Sequence, residues 1–137
     1  MASVEAIFRN AKFVESLGIE LVSFGDGWCE TRLVVRPEFQ QQHGFVHAGV
    51  IMTLADHTIG GAAATRVPAE KDVITVENRV TFLRPATGSE LRCRADVLRA
   101  GKSLVFAEGT VRGDRDGREV IVAKSSGTLS VIDPASS

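Results

Sequence analysis

The sequence predicts an α+β fold in which one antiparallel sheet wraps a single long central helix. Three observations lead there. The run from about Ala48 to Thr65 is rich in Ala, Gly, Leu and Ile and is long enough for a buried helix. Two strand-like runs precede it, on either side of Gly25-Asp26-Gly27. Four longer runs with period-two alternation follow Pro68. One sheet closed over one helix gives every apolar face in that order a place to be buried.

The elements follow in chain order. Residues 3–15 read as a short amphipathic helix, because Val4, Ile7, Phe8, Ala11 and Val14 recur at helical spacing. Gly18–Phe24 and Trp28–Val35 form a hairpin about the Gly-Asp-Gly turn. Pro37 begins a polar loop with three consecutive glutamines. In the long helix, Gly60 and Gly61 weaken the local structure but let another backbone come close. Val73–Leu83, Glu90–Leu98, Leu104–Arg112 and Glu119–Val131 are the four long strands. The connections Arg84–Gly88 and Arg99–Ser103 are short, and Asp114-Arg115-Asp116-Gly117 is a turn, so an antiparallel meander is expected. Met52 and Trp28 read as core. No repeat, linker or second domain interrupts residues 1–137.

Composition excludes several classes. With 44% hydrophobic and 24% charged residues, the chain is globular rather than disordered. Lys+Arg total 16 and Asp+Glu 17, so no net field draws it to nucleic acid or to a membrane surface. No apolar run reaches the roughly 20 residues that span a bilayer. Cys29 and Cys93 are too few and too far apart for a disulfide framework, which points to a reducing, cytoplasmic setting. His43, His47 and His57 have no recognised metal-ligand spacing, so no metal or other cofactor is expected.

The chemistry concentrates in Gln41–Asp56. A polar loop ends at His47, Ala48 and Gly49 open the apolar helix, and Asp56 interrupts its apolar run. A helix N-terminus offers free N–H groups and about half a positive charge, suited to an oxygen on which negative charge develops. A lone carboxylate in an apolar stripe is a candidate base or nucleophile. Together they suggest acyl-group chemistry. At 1.5 Å per residue, Asp56 lies roughly 12 Å along the axis from Ala48. Both groups must come within ~3 Å of one reacting group. Two antiparallel central helices achieve this where one does not, so a two-fold dimer with two shared sites is expected. The Gly60-Gly61 pair suits the close helix contact.

Gln41, His47-Ala48-Gly49 and Asp56, followed by the strand Thr75 to Pro85 and by Gly101-Lys102-Ser103, resemble the hotdog-fold acyl-CoA thioesterases of the phenylacetate-pathway (PaaI-like) branch over roughly residues 10–132. The resemblance implies a hotdog fold and hydrolysis of an aryl- or medium-chain acyl-CoA. It implies Asp56 as base or nucleophile and the Ala48 backbone N–H as the group that polarises the thioester carbonyl. Gln41 matches the side chain that positions water or the carbonyl region. His47 matches the histidine that orders the turn, and Thr75 a hydroxyl near the acid. Two departures stand out. Ala48 replaces the first glycine of a pair, and Gly60 lacks a hydroxyl that some relatives carry there. Arg84, Arg99, Lys102 and Ser103, at loop ends, are the candidates for the CoA phosphates. Phe8, Phe13, Ile51, Leu54, Phe82 and Leu83 are candidate pocket residues. A homodimer is the expected minimum, with a homotetramer as the fuller assembly.

Two rivals carry less weight. A hotdog dehydratase or hydratase needs a His-Phe-Pro loop or an Asp-to-His segment that is missing here. A non-catalytic acyl-CoA-binding or sensor protein is the second: its known fused kind needs a helix-turn-helix for which the about 15 residues before the first strand are too few, and against a stand-alone kind stand the intact Gln41 and Asp56.

Overall fold

The computed structural model describes residues 4–134. The described helix start is Val4, so the expected start at residue 3 lies outside the described residues. The N-terminal segment is two helices rather than one: α1 (Val4–Asn10) and α2 (Lys12–Leu17). Ala11 between them is extended, with ψ 94°, and Gly18 ends α2 in the left-handed region at φ 78°. Then come β1 (Glu20–Gly25) and β2 (Trp28–Val34), a 3-10 turn at Pro37–Phe39, and α3 (Ala48–Ala64). The chain finishes with β3 (Asp72–Phe82), β4 (Glu90–Ala100), β5 (Leu104–Arg115) and β6 (Arg118–Ile132).

All pairings are antiparallel, in the order β1-β2-β4-β5-β6-β3. This corrects the expected four-strand meander. Only β4, β5 and β6 form one; β3 pairs with β6 at the far edge. The link over residues 83–89 crosses three inter-strand steps, about 14 Å. Seven extended residues reach about 23 Å, so a short connection does not force adjacency. The β5–β6 hairpin turns tightly on Asp116 and Gly117, both with positive φ (51° and 75°). That is the geometry for which an Asp-Gly pair is favoured.

Helix α3 packs on the inner face of the sheet and touches all six strands. Leu54, Ala55, Ile59, Ala62 and Ala63 are buried against the alternate residues of β4, β5 and β6, among them Leu91, Ala95, Val105, Val111, Ala123 and Leu129. Each large aliphatic side chain so buried contributes roughly 1.5–3 kcal/mol. Small residues let the helix settle close. A side-chain carbon on Gly127 would meet Ile59 at 3.0 Å, and one on Gly109 would meet it at 3.5 Å. The one hydroxyl pair under the helix is satisfied, since Thr31 and Thr58 bond at 2.7 Å and Thr58 also donates to the Leu54 carbonyl at 2.7 Å.

Three expectations fail on local packing. Met52 is 41% exposed, because it lies on the helix face turned from the sheet. Trp28 is only half-buried and lies under the Arg94 guanidinium, 4.6 Å from its ring, on the outer face of the sheet. Gly61 faces its own chain: a side-chain carbon there would meet Cys29 Sγ at 2.8 Å and Phe8 at 3.3 Å. It therefore serves the fit of α3 to β2 and α1, not an approach by another helix. Among the described residues, no helix is long and apolar enough to cross a membrane.

Candidate active site

The polar loop before α3 is tightly braced. His47 N–H donates to the Phe39 carbonyl (2.8 Å), Gln41 N–H to Phe45 (2.8 Å), and Val46 N–H to Ala86 in the β3–β4 link (3.0 Å). The Gln41 side-chain oxygen accepts from the His43 N–H, so the turn is closed on itself. His47 then caps α3. Its Nδ1 accepts from the Gly49 N–H at 2.9 Å, which puts the neutral ring's proton on Nε2. The Val50 and Ile51 N–H groups donate to the His47 carbonyl at 3.0 and 3.4 Å. Of the four N–H groups that open the helix, three are thus engaged, and the Ala48 N–H alone lacks a protein partner among the described residues. It opens on a groove of 380 Å³ lined by Gln41, Phe45, Ile51, Phe82, Leu83 and Arg84, among others.

Asp56 lies two turns further along, in a separate cavity of 210 Å³ with Ile7, His57, Gly60, Thr75, Ile74 and Leu129 among its walls. It is half-buried, and the Thr75 hydroxyl donates to its Oδ1 at 2.8 Å. His57 is half-buried, edge-on to the Phe8 ring with centroids 4.4 Å apart, and its Nε2 is buried without a hydrogen bond. Burial holds the His57 pKa below its usual 6.5, against the opposing pull of the Asp56 charge and the Ile7 carbonyl. Its ring is therefore neutral at pH 7.

The structure brings Gln41, His47, Ala48 and Gly49 together at the N-terminal end of α3, and Asp56 with Thr75 at its middle. The two groups do not meet within one chain. The cation candidates divide the same way. Arg84 lines the Ala48 groove and donates to the Ile121 carbonyl at 2.8 Å. Arg99, Lys102 and Ser103 lie at the β4–β5 turn, where Ser103 accepts from the Val131 N–H, at the end of the sheet where β3 begins. Of the candidate pocket residues, Ile51, Phe82 and Leu83 line the groove. Phe8 packs on His57, Leu54 is wholly buried, and Phe13 is 63% exposed and lines neither hollow. Sequence reasoning missed Ile7, Phe45 and Ala86. Ile7 reaches the Asp56 cavity across 49 positions of sequence, and no local pattern marks that contact. Among the described residues, no group of three His, Cys, Asp or Glu is close enough to hold a metal ion.

The profile of the thioesterase superfamily matches residues 43–120, more than half of the chain and both halves of this site. The chain belongs to the thioesterase superfamily. A crystal structure of a thioesterase family protein from Silicibacter pomeroyi superposes with a TM-score of 0.92 at 34% identity, over 95% of this chain and 96% of that one. The acyl-coenzyme A thioesterase PaaI of Escherichia coli (strain K12) is 26% identical over 73% of this chain and 70% of its own length. The 1,4-dihydroxy-2-naphthoyl-CoA hydrolase of Listeria monocytogenes serotype 1/2a (strain 10403S) is 29% identical over 65% of this chain and 72% of its own. The six-stranded antiparallel sheet on one central helix is the hotdog fold of this superfamily, and the chain is a thioester hydrolase of PaaI-like type.

Proposed function

We propose that the protein hydrolyses an aryl- or medium-chain acyl-CoA to free acid and CoA, at a site that two protomers share. The observation that carries this is the division of α3 into an end with one unpartnered N–H, at Ala48, and a region with one carboxylate, at Asp56, opening on different hollows. Strand β3 supplies the means to join them. It is an edge strand of eleven residues with Ile74 and Val76 55% and 64% exposed, a ready template for another strand. Thr75 marks the Asp56 half and Phe82 the Ala48 half, and their midpoint is Asn78–Arg79. Two-fold antiparallel pairing centred on Asn78 sets each Thr75 within one residue of the partner's Phe82, and each Asp56 near the partner's Ala48. It also sets exposed Glu77 near the partner's Arg79, a complementary pair at the dyad. Arg84 of one protomer then joins Arg99 and Lys102 of the other around the CoA phosphates. A homotetramer is two such dimers.

In this site the thioester oxygen accepts from the Ala48 N–H at the positive end of α3. Asp56, held by Thr75, takes a proton from water that attacks the carbonyl carbon, or attacks that carbon itself to form an acyl–Asp56 anhydride that water then hydrolyses. Gln41 orients the water or carbonyl. The C–S bond breaks, CoA leaves as thiolate and takes up a proton, and water supplies the oxygen of the free acid. The names of the E. coli and Listeria relatives support CoA esters as the substrate class.

The test is thiol release from a panel of aryl- and alkyl-CoA thioesters by wild type and Asp56→Asn. Turnover that collapses in the variant while acyl-CoA binding persists supports hydrolysis. Tight acyl-CoA binding by a folded wild type that releases no thiol from any ester refutes it.

A further inference from the structure

A glycine in the middle of a helix costs about 0.5–1 kcal/mol relative to alanine, and its presence needs a reason. Gly61 has one, since a side chain would strike Cys29 and Phe8. Gly60 has none within the chain: a carbon built on it meets nothing within 4 Å. The space it leaves is the 210 Å³ cavity beside Asp56, one helical turn away on the same face. The other walls of that cavity are aliphatic at Ile7 from α1, Val73 and Ile74 from β3 and Leu129 from β6, and polar at His57, Asp72 and Thr75.

On the thioesterase reading of this site, the ester carbonyl lies where the two hollows meet, and the acyl group and the pantetheine arm leave in opposite directions. The hollow at Ala48 carries Arg84, a cation fitted to the phosphates of CoA. The hollow at Asp56 is lined by no cation and by two carboxylates, Asp56 and Asp72; Arg99 and Lys102 lie outside it, at the β4–β5 turn. The acyl group therefore takes the Asp56 side.

We infer that the cavity beside Asp56 is the acyl chamber and that Gly60 is the residue that sets its size, admitting one aromatic ring or a short acyl chain. An apolar cavity of about 150 Å³ accepts benzene. A chamber of 210 Å³ thus has room for a benzoyl-sized group. The missing Cβ at Gly60 is what the ring would lie against.

Substitution here does not threaten the fold, because alanine or valine points into open space and replaces a weak helix former. The experiment compares kcat/KM of wild type, Gly60→Ala and Gly60→Val on benzoyl-CoA and on acetyl-CoA, with the mass of each protein in solution measured by light scattering. A methylene-sized change in an apolar pocket shifts selectivity by about 10- to 200-fold. The benzoyl-to-acetyl ratio is expected to fall stepwise, by at least about tenfold in Gly60→Val, with the mass unchanged. A ratio that stays at the wild-type value overturns the assignment. So does dissociation of Gly60→Val with parallel loss on both esters, which would make Gly60 a contact between copies of the chain. Absence of thiol release by the wild type from every ester overturns the thioesterase reading and the assignment together, whereas release with an unchanged ratio overturns the assignment alone.

Discussion

Replacing Ala48 with proline removes one atom pair that matters, the N–H, and leaves the rest of the helix start in place. Proline is favoured at the first helical position, where its missing N–H is an orphan in any case. The residue before a proline must be extended, with ψ of about +120 to +160°. His47 already has φ −61° and ψ 139°. Ala48 is exposed within its own chain, so the ring meets no packed neighbour there. The folded state therefore changes by less than about 1 kcal/mol. The reaction loses its oxyanion donor, and no other N–H of the first turn is free to replace it, because Gly49, Val50 and Ile51 are all engaged. Loss of such a donor lowers kcat by on the order of 10²–10³, or about 2.7–4 kcal/mol in the barrier. The assay is kcat and KM for thiol release, beside a thermal melt, with Ala48→Gly as the control that keeps the N–H. Ala48→Gly should stay near wild type and Ala48→Pro should lose kcat with its melt intact. A folded Ala48→Pro protein that turns over at the wild-type rate, or one whose loss is confined to KM, would refute the oxyanion role.

Other outcomes follow from the same geometry. Thr75→Val removes the 2.8 Å bond to Asp56 and should lower kcat/KM by roughly tenfold, the low end for a hydrogen bond to a charged group, with stability within about 1 kcal/mol of wild type; unaltered kinetics would leave Thr75 a strand residue only. Gly61→Ala should destabilise by about 1–2 kcal/mol through overpacking on Cys29, while Gly60→Ala stabilises by about 0.5–1 kcal/mol, read as urea midpoints at one protein concentration. Burial lowers the His57 pKa in the folded state, so the unfolded chain binds the proton more readily. That stability is present above pH 6.5 and is lost as pH falls toward the lower folded value; His57→Asn should flatten this part of the melting curve against pH. Cys29 and Cys93 are buried and their thiols are pushed up to about 12, so both should resist a thiol reagent until the protein unfolds.

The central helix was legible because its limits are chemical: a capping His47 at one side and Thr65, three residues before Pro68, at the other. The alternation in β4 to β6 likewise gave the strands and their inner faces. Alternation reports which face a residue takes but not which strand lies beside it, and so the β3–β6 pairing was hidden. The break at Ala11 was hidden too, since no glycine or proline marks it and the apolar spacing runs through it unbroken. At the site, the sequence grouped Gln41 to Asp56 as one motif, and the structure separates it into two half-sites eight residues apart on one helix. The roles of the two glycines diverge because one faces Cys29 and the other faces a cavity, a difference that adjacent identical residues cannot display in sequence.

The account depends most on a site shared between protomers. The direct measurement is thiol release by mixed dimers formed by refolding Ala48→Pro with Asp56→Asn in equal amounts. Each variant alone should be nearly inactive. In the mixture, half of the dimers are hybrid and each holds one intact site, so activity should return to about a quarter of the wild-type value. No recovery from verified hybrids would contradict the account, because it would place Ala48 and Asp56 in the same protomer's site or remove one of them from the chemistry.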